Sequence, residues 1–138
     1  MTKDEILNIP AGREMDTLVA EKVMGFRVEG NIVWFPDGDF SYLVPDLGGH
    51  WSPSTDIAAA WEVVERIREK QTEIRIRGME WYDGGGWIVE IMDILSKKVQ
   101  YKSYVEVTGP KRGIPNVCLA ICRAGLLAVL TNSIKEKT

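Results

Sequence analysis

Apolar and polar positions along the chain follow more than one period, and each change of period marks a new element. Thr2 followed by Glu5 fits a capping box, in which a hydroxyl and a carboxylate satisfy free amides at a helix start, so a short helix is predicted there. Pro10 and Gly12 interrupt it. Met15, Leu18, Val19 and Val23 then recur at helical spacing until Gly25 offers a C-terminal stop. From Phe26 to Val44 the pattern turns to short apolar runs broken by Glu29-Gly30-Asn31 and Pro36-Asp37-Gly38-Asp39, both hairpin signals, which predicts a small meander. Pro45 to Pro53 carries loop chemistry and leads to Ser54-Thr55-Asp56, a helix cap. The helix that follows is expected to pack Ile57, Ala60, Trp61, Val64 and Ile67 inward and to turn Glu62, Glu65, Arg66 and Glu69 to water.

Beyond residue 72 the period becomes two. Ile74 and Ile76 alternate with Arg75 and Arg77, and Trp87, Val89 and Ile91 continue the pattern. Val99, Tyr101, Val105 and Val107 form a third run opposite Lys98, Gln100, Lys102 and Glu106, so an antiparallel three-stranded sheet is predicted, with Asp83-Gly84-Gly85-Gly86 as its first turn. Pro115 suits the first turn of a last helix that is apolar on nearly every side, the mark of burial against more than one neighbour. Arg123 is the anomaly in that helix, and the polar tail after Asn132 is expected to fray. The expected class is α+β, an antiparallel sheet sandwiched between helices with an additional N-terminal hairpin.

Composition narrows this little further. With 138 residues, of which 45% are hydrophobic, the chain suffices for one domain spanning 1–138 with a continuous core. A net charge of -3 lacks the basic excess that neutralises nucleic-acid phosphates, so neither DNA nor RNA is an expected partner. The start Met1-Thr2-Lys3-Asp4-Glu5 has none of the features of a secretory leader, and the apolar tract from Val117 to Leu130 is too short for a bilayer and interrupted by Arg123. Cys118 and Cys122 stand four apart in a helical pattern, as buried thiols in a reducing cytoplasm would.

Candidate chemistry is sparse. His50 in a Gly-rich loop has no nucleophile near it in sequence, and two cysteines with one histidine fall short of a zinc set. No cofactor is expected. Gly84 to Gly86 lack the Lys-Ser/Thr pair of a phosphate loop and read as a hairpin tip, while Asp37, Asp39 and Asp46, which could bind a cation loosely, read as turn chemistry. The informative residues are Arg123 and Arg112 with the aromatics Trp81, Tyr82 and Trp87, because guanidinium forks grip phosphate and flat rings stack on a base. The alternative is structural: Arg123 pairs with a carboxylate beneath the sheet, and the aromatics fill the core.

Two stretches, Ser54-Thr55-Asp56-Ile57-Ala58-Ala59-Ala60-Trp61-Glu62-Val63-Val64-Glu65 and Ala120-Ile121-Cys122-Arg123-Ala124-Gly125-Leu126-Leu127-Ala128-Val129-Leu130, resemble the phage ABA sandwich domain family. The opening Ile9-Pro10-Ala11-Gly12-Arg13-Glu14-Met15-Asp16, with Ala20-Glu21-Lys22-Val23-Met24-Gly25, is similar to the family's start; between Phe26 and Trp51 the likeness is weaker. One branch of that family is the Thoeris anti-defence sponge, which sequesters a cyclic ADP-ribose isomer without cleaving it; some such sponges also hold cyclic oligonucleotides. The resemblance implies a phage protein at work in the cytoplasm of an infected bacterium, a homodimer or higher homo-oligomer, and no catalysis. It also implies that Arg123 contacts phosphate, with Arg112 in the preceding loop, and that Tyr82 or Trp81 stacks on the base. Two other readings stay open: an interaction domain that binds protein and no small ligand, and a nucleotide-processing enzyme using Asp37, Asp39 or Asp93 with a metal.

Overall fold

A computed structural model describes residues 2–43, 50–69, 72–81, 84–93, 99–108 and 114–136. Thr2 caps the first helix, α1 (Lys3–Asn8), its hydroxyl accepting from the Glu5 amide at 3.1 Å, as the capping box requires. After the Pro10–Gly12 break, α2 (Arg13–Leu18) runs into a π-helical turn at Val19–Val23. The extra residue of that turn lets Val19, Ala20 and Val23 all sink into the core. Gly25, with φ of 73°, stops it in the left-handed region, and the Phe26 amide reaches back to the Ala20 carbonyl at 2.8 Å.

The meander is present as β1 (Arg27–Glu29), β2 (Ile32–Trp34) and β3 (Phe40–Tyr42), antiparallel throughout, with Val33 facing the core. Asp56 caps α3 (Ile57–Arg68) by accepting from the Ala59 amide at 3.2 Å. The packed face of α3 differs from the expected one. Ala59, Ala60, Val63, Val64 and Ile67 are buried, whereas Ile57 is 42% exposed and Trp61 49%. The helix is rotated so that its alanine and β-branched residues face inward, toward α4 (Ile114–Glu136), and the large ring stays outside.

The long sheet has the predicted order β4 (Thr72–Trp81), β5 (Gly84–Asp93) and β6 (Val99–Thr108), all antiparallel, with an irregularity between Ile91 and Met92. Gly84 to Gly86 are not a hairpin tip. They open the central strand, Gly84 pairing with Trp81 on one side and Thr108 on the other. Ile74, Ile76, Val89 and Ile91 join the core, and Arg75 and Arg77 emerge on the opposite face. The fold is α+β, with α4 against the sheet on one side and against α3, α1 and the π turn elsewhere. That double contact is why its residues from Val117 to Leu127 are buried with Arg123 the half-buried exception. Gly125 faces the helical neighbours of α4: a Cβ there would lie 3.4 Å from Ile67 Cδ1 and 3.6 Å from Val23 Cγ2 and Val63 Cγ1. The helix extends to Glu136, past the polar residues that follow Asn132. Among the described residues no helix is long and apolar enough to cross a membrane.

Candidate functional site

Arg123 projects from the middle of α4 onto the chain that leaves α1. Its Nε and Nη2 both donate to the Ile9 carbonyl oxygen, at 3.2 and 2.8 Å. A forked donor closing on one carbonyl ties the last helix to the N-terminal segment across 114 positions of sequence. The described partner is thus a neutral dipole and not the carboxylate that the structural alternative required. Burial lowers the guanidinium from arginine's usual value, yet arginine starts so far above neutrality that it keeps its charge. Among the described residues this half-buried cation meets a carbonyl and no carboxylate, so its hydrogen-bonding is partly satisfied while a charge partner is left to be supplied, the condition under which an outside anion is attracted.

The other candidate residues fall in different places in the fold. Trp87 lies on β5 between Gly78 and Val105 and packs against the hydrophobic core, so its ring contributes to the fold. Trp81 closes β4 opposite Gly84. Tyr82 and Arg112 lie outside the described residues.

A second polar cluster was not foreseen. Asp16, 1% exposed, accepts from the Ser52 hydroxyl at 2.8 Å and the Ser54 amide at 2.9 Å. Ser52 Oγ lies 2.8 Å from Thr55 Oγ1, and Ser54 Oγ accepts from the Gly12 amide at 3.0 Å. Burial pushes the Asp16 carboxyl above its ordinary value, and the Ser54 and Ser52 hydrogen bonds offset only part of that. The cluster seals the loop before α3 onto the start of α2. Its sequence signal was the group of hydroxyl residues at 52, 54 and 55; nothing in the pattern singled out Asp16.

On the outer face of the sheet, Glu90 has a buried side chain with Arg75 Nη2 at 3.2 Å and Arg77 Nη2 at 2.8 Å from its Oε1. These are charge contacts and not aligned hydrogen bonds. Asp37 and Asp39 do the turn chemistry expected of them, Asp37 Oδ1 accepting from the Asp39 amide at 2.9 Å and Asp39 Oδ1 from the Phe40 amide at 2.9 Å. His50 is exposed and bridges to Tyr42. Among the described residues no group of three or more His, Cys, Asp or Glu side chains could hold a metal ion. Cys118 and Cys122 are buried free thiols; desolvation raises Cys118 to about 11 and Cys122 well above its ordinary value.

Comparison with known proteins adds two findings. The profile of the phage ABA sandwich domain matches residues 17–126. The 2.0 Å crystal structure of a phage protein from Bacillus cereus ATCC 14579 superposes with a TM-score of 0.55 at 20% sequence identity, covering 88% of this chain and 95% of that one. At that identity the likeness concerns the fold. No curated protein sequence matches the chain.

Proposed function

Since the chain belongs to the phage ABA sandwich domain family, whose profile matches it over residues 17–126, we propose that it is a non-catalytic sponge for a cyclic nucleotide immune signal. The ligand in this reading is a cyclic ADP-ribose isomer or a cyclic oligonucleotide, held between protomers of a homodimer or larger assembly in the cytoplasm of the infected host. The observation that supports it is the half-buried guanidinium of Arg123, which among the described residues meets a carbonyl and no carboxylate. Phosphate oxygens are the complement of such a fork. Arg112 would add a second cation from the preceding loop, and Tyr82 or Trp81 would offer a ring to the base. A sponge removes one signal molecule per site, so it works through affinity and copy number and needs no proton transfer.

A second reading is favoured by the outer surface of the meander. Phe40 is 45% exposed, with ring centroids 5.1 Å from Trp34 and 5.8 Å from Tyr42, and the Arg27 guanidinium lies 5.1 Å above the Trp34 ring. Clustered aromatics with an arginine are the composition of a protein-binding patch. One experiment separates the two. The protein is mixed with cyclic ADP-ribose isomers and cyclic oligonucleotides, separated from free ligand, denatured, and the supernatant analysed. Intact ligand recovered in proportion to protein supports the sponge. Altered ligand means an enzyme, and no uptake leaves the aromatic patch as the working surface.

A further inference from the structure

A cleft of about 610 Å³ opens between α3 and the meander, within the size range of small-ligand sites. Its apolar lining comes from Met24, Phe26, Phe35, Ala58 and the ring of Trp61. Phe26 is held edge-on between Phe35 and Trp51, at centroid distances of 5.2 and 5.6 Å, so this wall is built and rigid. Among the described lining residues one sign is in excess: Asp37, Glu62, Glu65 and Glu69 face Arg66. The indole N–H of Trp51 donates to Glu62 Oε2 at 2.7 Å and fixes that carboxylate at the cleft. Glu69 meets Arg66 at 3.0 Å and Glu65 meets Arg68 at 3.8 Å, but both are exposed pairs of the kind that adds little and exchanges readily.

We propose that this cleft binds a linear aliphatic polyamine, its methylenes against Trp61 and Phe26 and its ammonium groups against the acidic rim. The acidic excess opposes a phosphate-bearing ligand here and Arg123 does not line the cleft, so the inference is independent of the sponge reading and concerns a separate site. The spacing on α3 selects the chain. At 1.5 Å per residue, Glu62, Glu65 and Glu69 follow one another at axial steps of about 4.5 and 6 Å. Amines separated by three and by four methylenes repeat on the same scale. Trp61 supplies what a bare acidic surface lacks, an aromatic face for an ammonium group, and its exposure on a helix whose neighbours at 60, 63 and 64 are buried leaves that face open.

The test is calorimetric titration of the intact protein with spermidine at low salt, repeated with Trp61→Ala, Trp61→Phe and the double variant Glu65→Gln/Glu69→Gln. Saturable binding of one spermidine per chain is expected. It should weaken roughly tenfold in Trp61→Ala and in the double variant and survive in Trp61→Phe, because the aromatic face is then kept. Magnesium ion at equal charge concentration should not displace it, since a compact dication gains nothing from the aromatic wall. Circular dichroism confirms that each variant is folded, which the exposure of these side chains leads one to expect. Absence of saturable binding, equal binding by Trp61→Ala, or displacement by magnesium would each overturn the proposal. So would binding of a lysine-rich peptide without spermidine, which would make the cleft a peptide site.

Discussion

Burial of the Asp16 carboxylate beside Ser52 and Ser54 makes the stability of this fold depend on pH in a defined direction. Its carboxyl ionises less readily in the folded chain than in the unfolded one, so protonation favours folding at this residue. The contribution of Asp16 is therefore greatest below its unfolded value of 3.8 and declines as pH rises through the raised folded value. Asp16→Asn should abolish that decline while keeping both partners, since an amide oxygen can accept from the Ser54 amide and its nitrogen can donate to Ser52. Urea midpoints of the two proteins measured from pH 4 to 7 should converge toward low pH and diverge above it; a constant difference would show an unshifted carboxyl. Asp16→Ala leaves the Ser54 amide without its acceptor and should cost about 1–3 kcal/mol. Cys118 and Cys122 belong at the same scale. With Cys118 near 11, both thiols should resist iodoacetamide at pH 8 in the native protein and react once it is unfolded in guanidinium. Rapid native labelling would place one of them at the surface.

Among the elements, α3 carries the clearest contrast. Val63 is fully buried and Trp61 half exposed on the same helix, so Val63→Ala should cost about 2 kcal/mol, while Trp61→Ala should stay within about 0.5 kcal/mol of the parent in chemical denaturation. The reverse order would restore the packed face that periodicity alone implies. On α4, a methyl at Gly125 would touch Ile67 and Val23 at ordinary contact distance, and alanine has the better helix propensity by roughly 1 kcal/mol. Gly125→Ala should therefore raise the melting temperature, and Gly125→Leu, which must displace both neighbours, should lower it.

For the whole molecule, the contact that joins the two ends of the chain is Arg123 on the Ile9 carbonyl. Arg123→Ala should loosen α1 from α4, visible as faster hydrogen exchange in Lys3–Asn8, at a cost of about 1–2 kcal/mol in global stability. Under the sponge reading it also lowers ligand uptake. Arg123→Lys, which keeps the charge and one donor, separates the two effects: uptake that survives in the lysine protein and fails in the alanine protein, at matched stability, points to the charge.

Much of this architecture was legible in the residues. Thr2, Asp56 and Gly25 mark ends of helical segments because a cap is a bargain between neighbours a few positions apart, and the alternation of Ile74 and Ile76 with Arg75 and Arg77 specifies a strand because pleating is equally local. The resemblance at both ends of the chain likewise pointed to the family that the profile identifies over residues 17–126. What remained hidden depends on partners distant in sequence. Period alone allowed Ile57 and Trp61 on the inner face of α3; Ala59 and Val63 took it, and Val63 lies with Ile67 against Gly125 of α4. No local rule announces that Asp16 will receive Ser52 and Ser54, or that Arg123 will close on a carbonyl at the far end of the chain. Local sequence determined which elements form, because caps, turns and periodicity act over a few residues. Tertiary structure decided which face each element buries and what each polar group meets, because those energies exist only once distant segments share the same space.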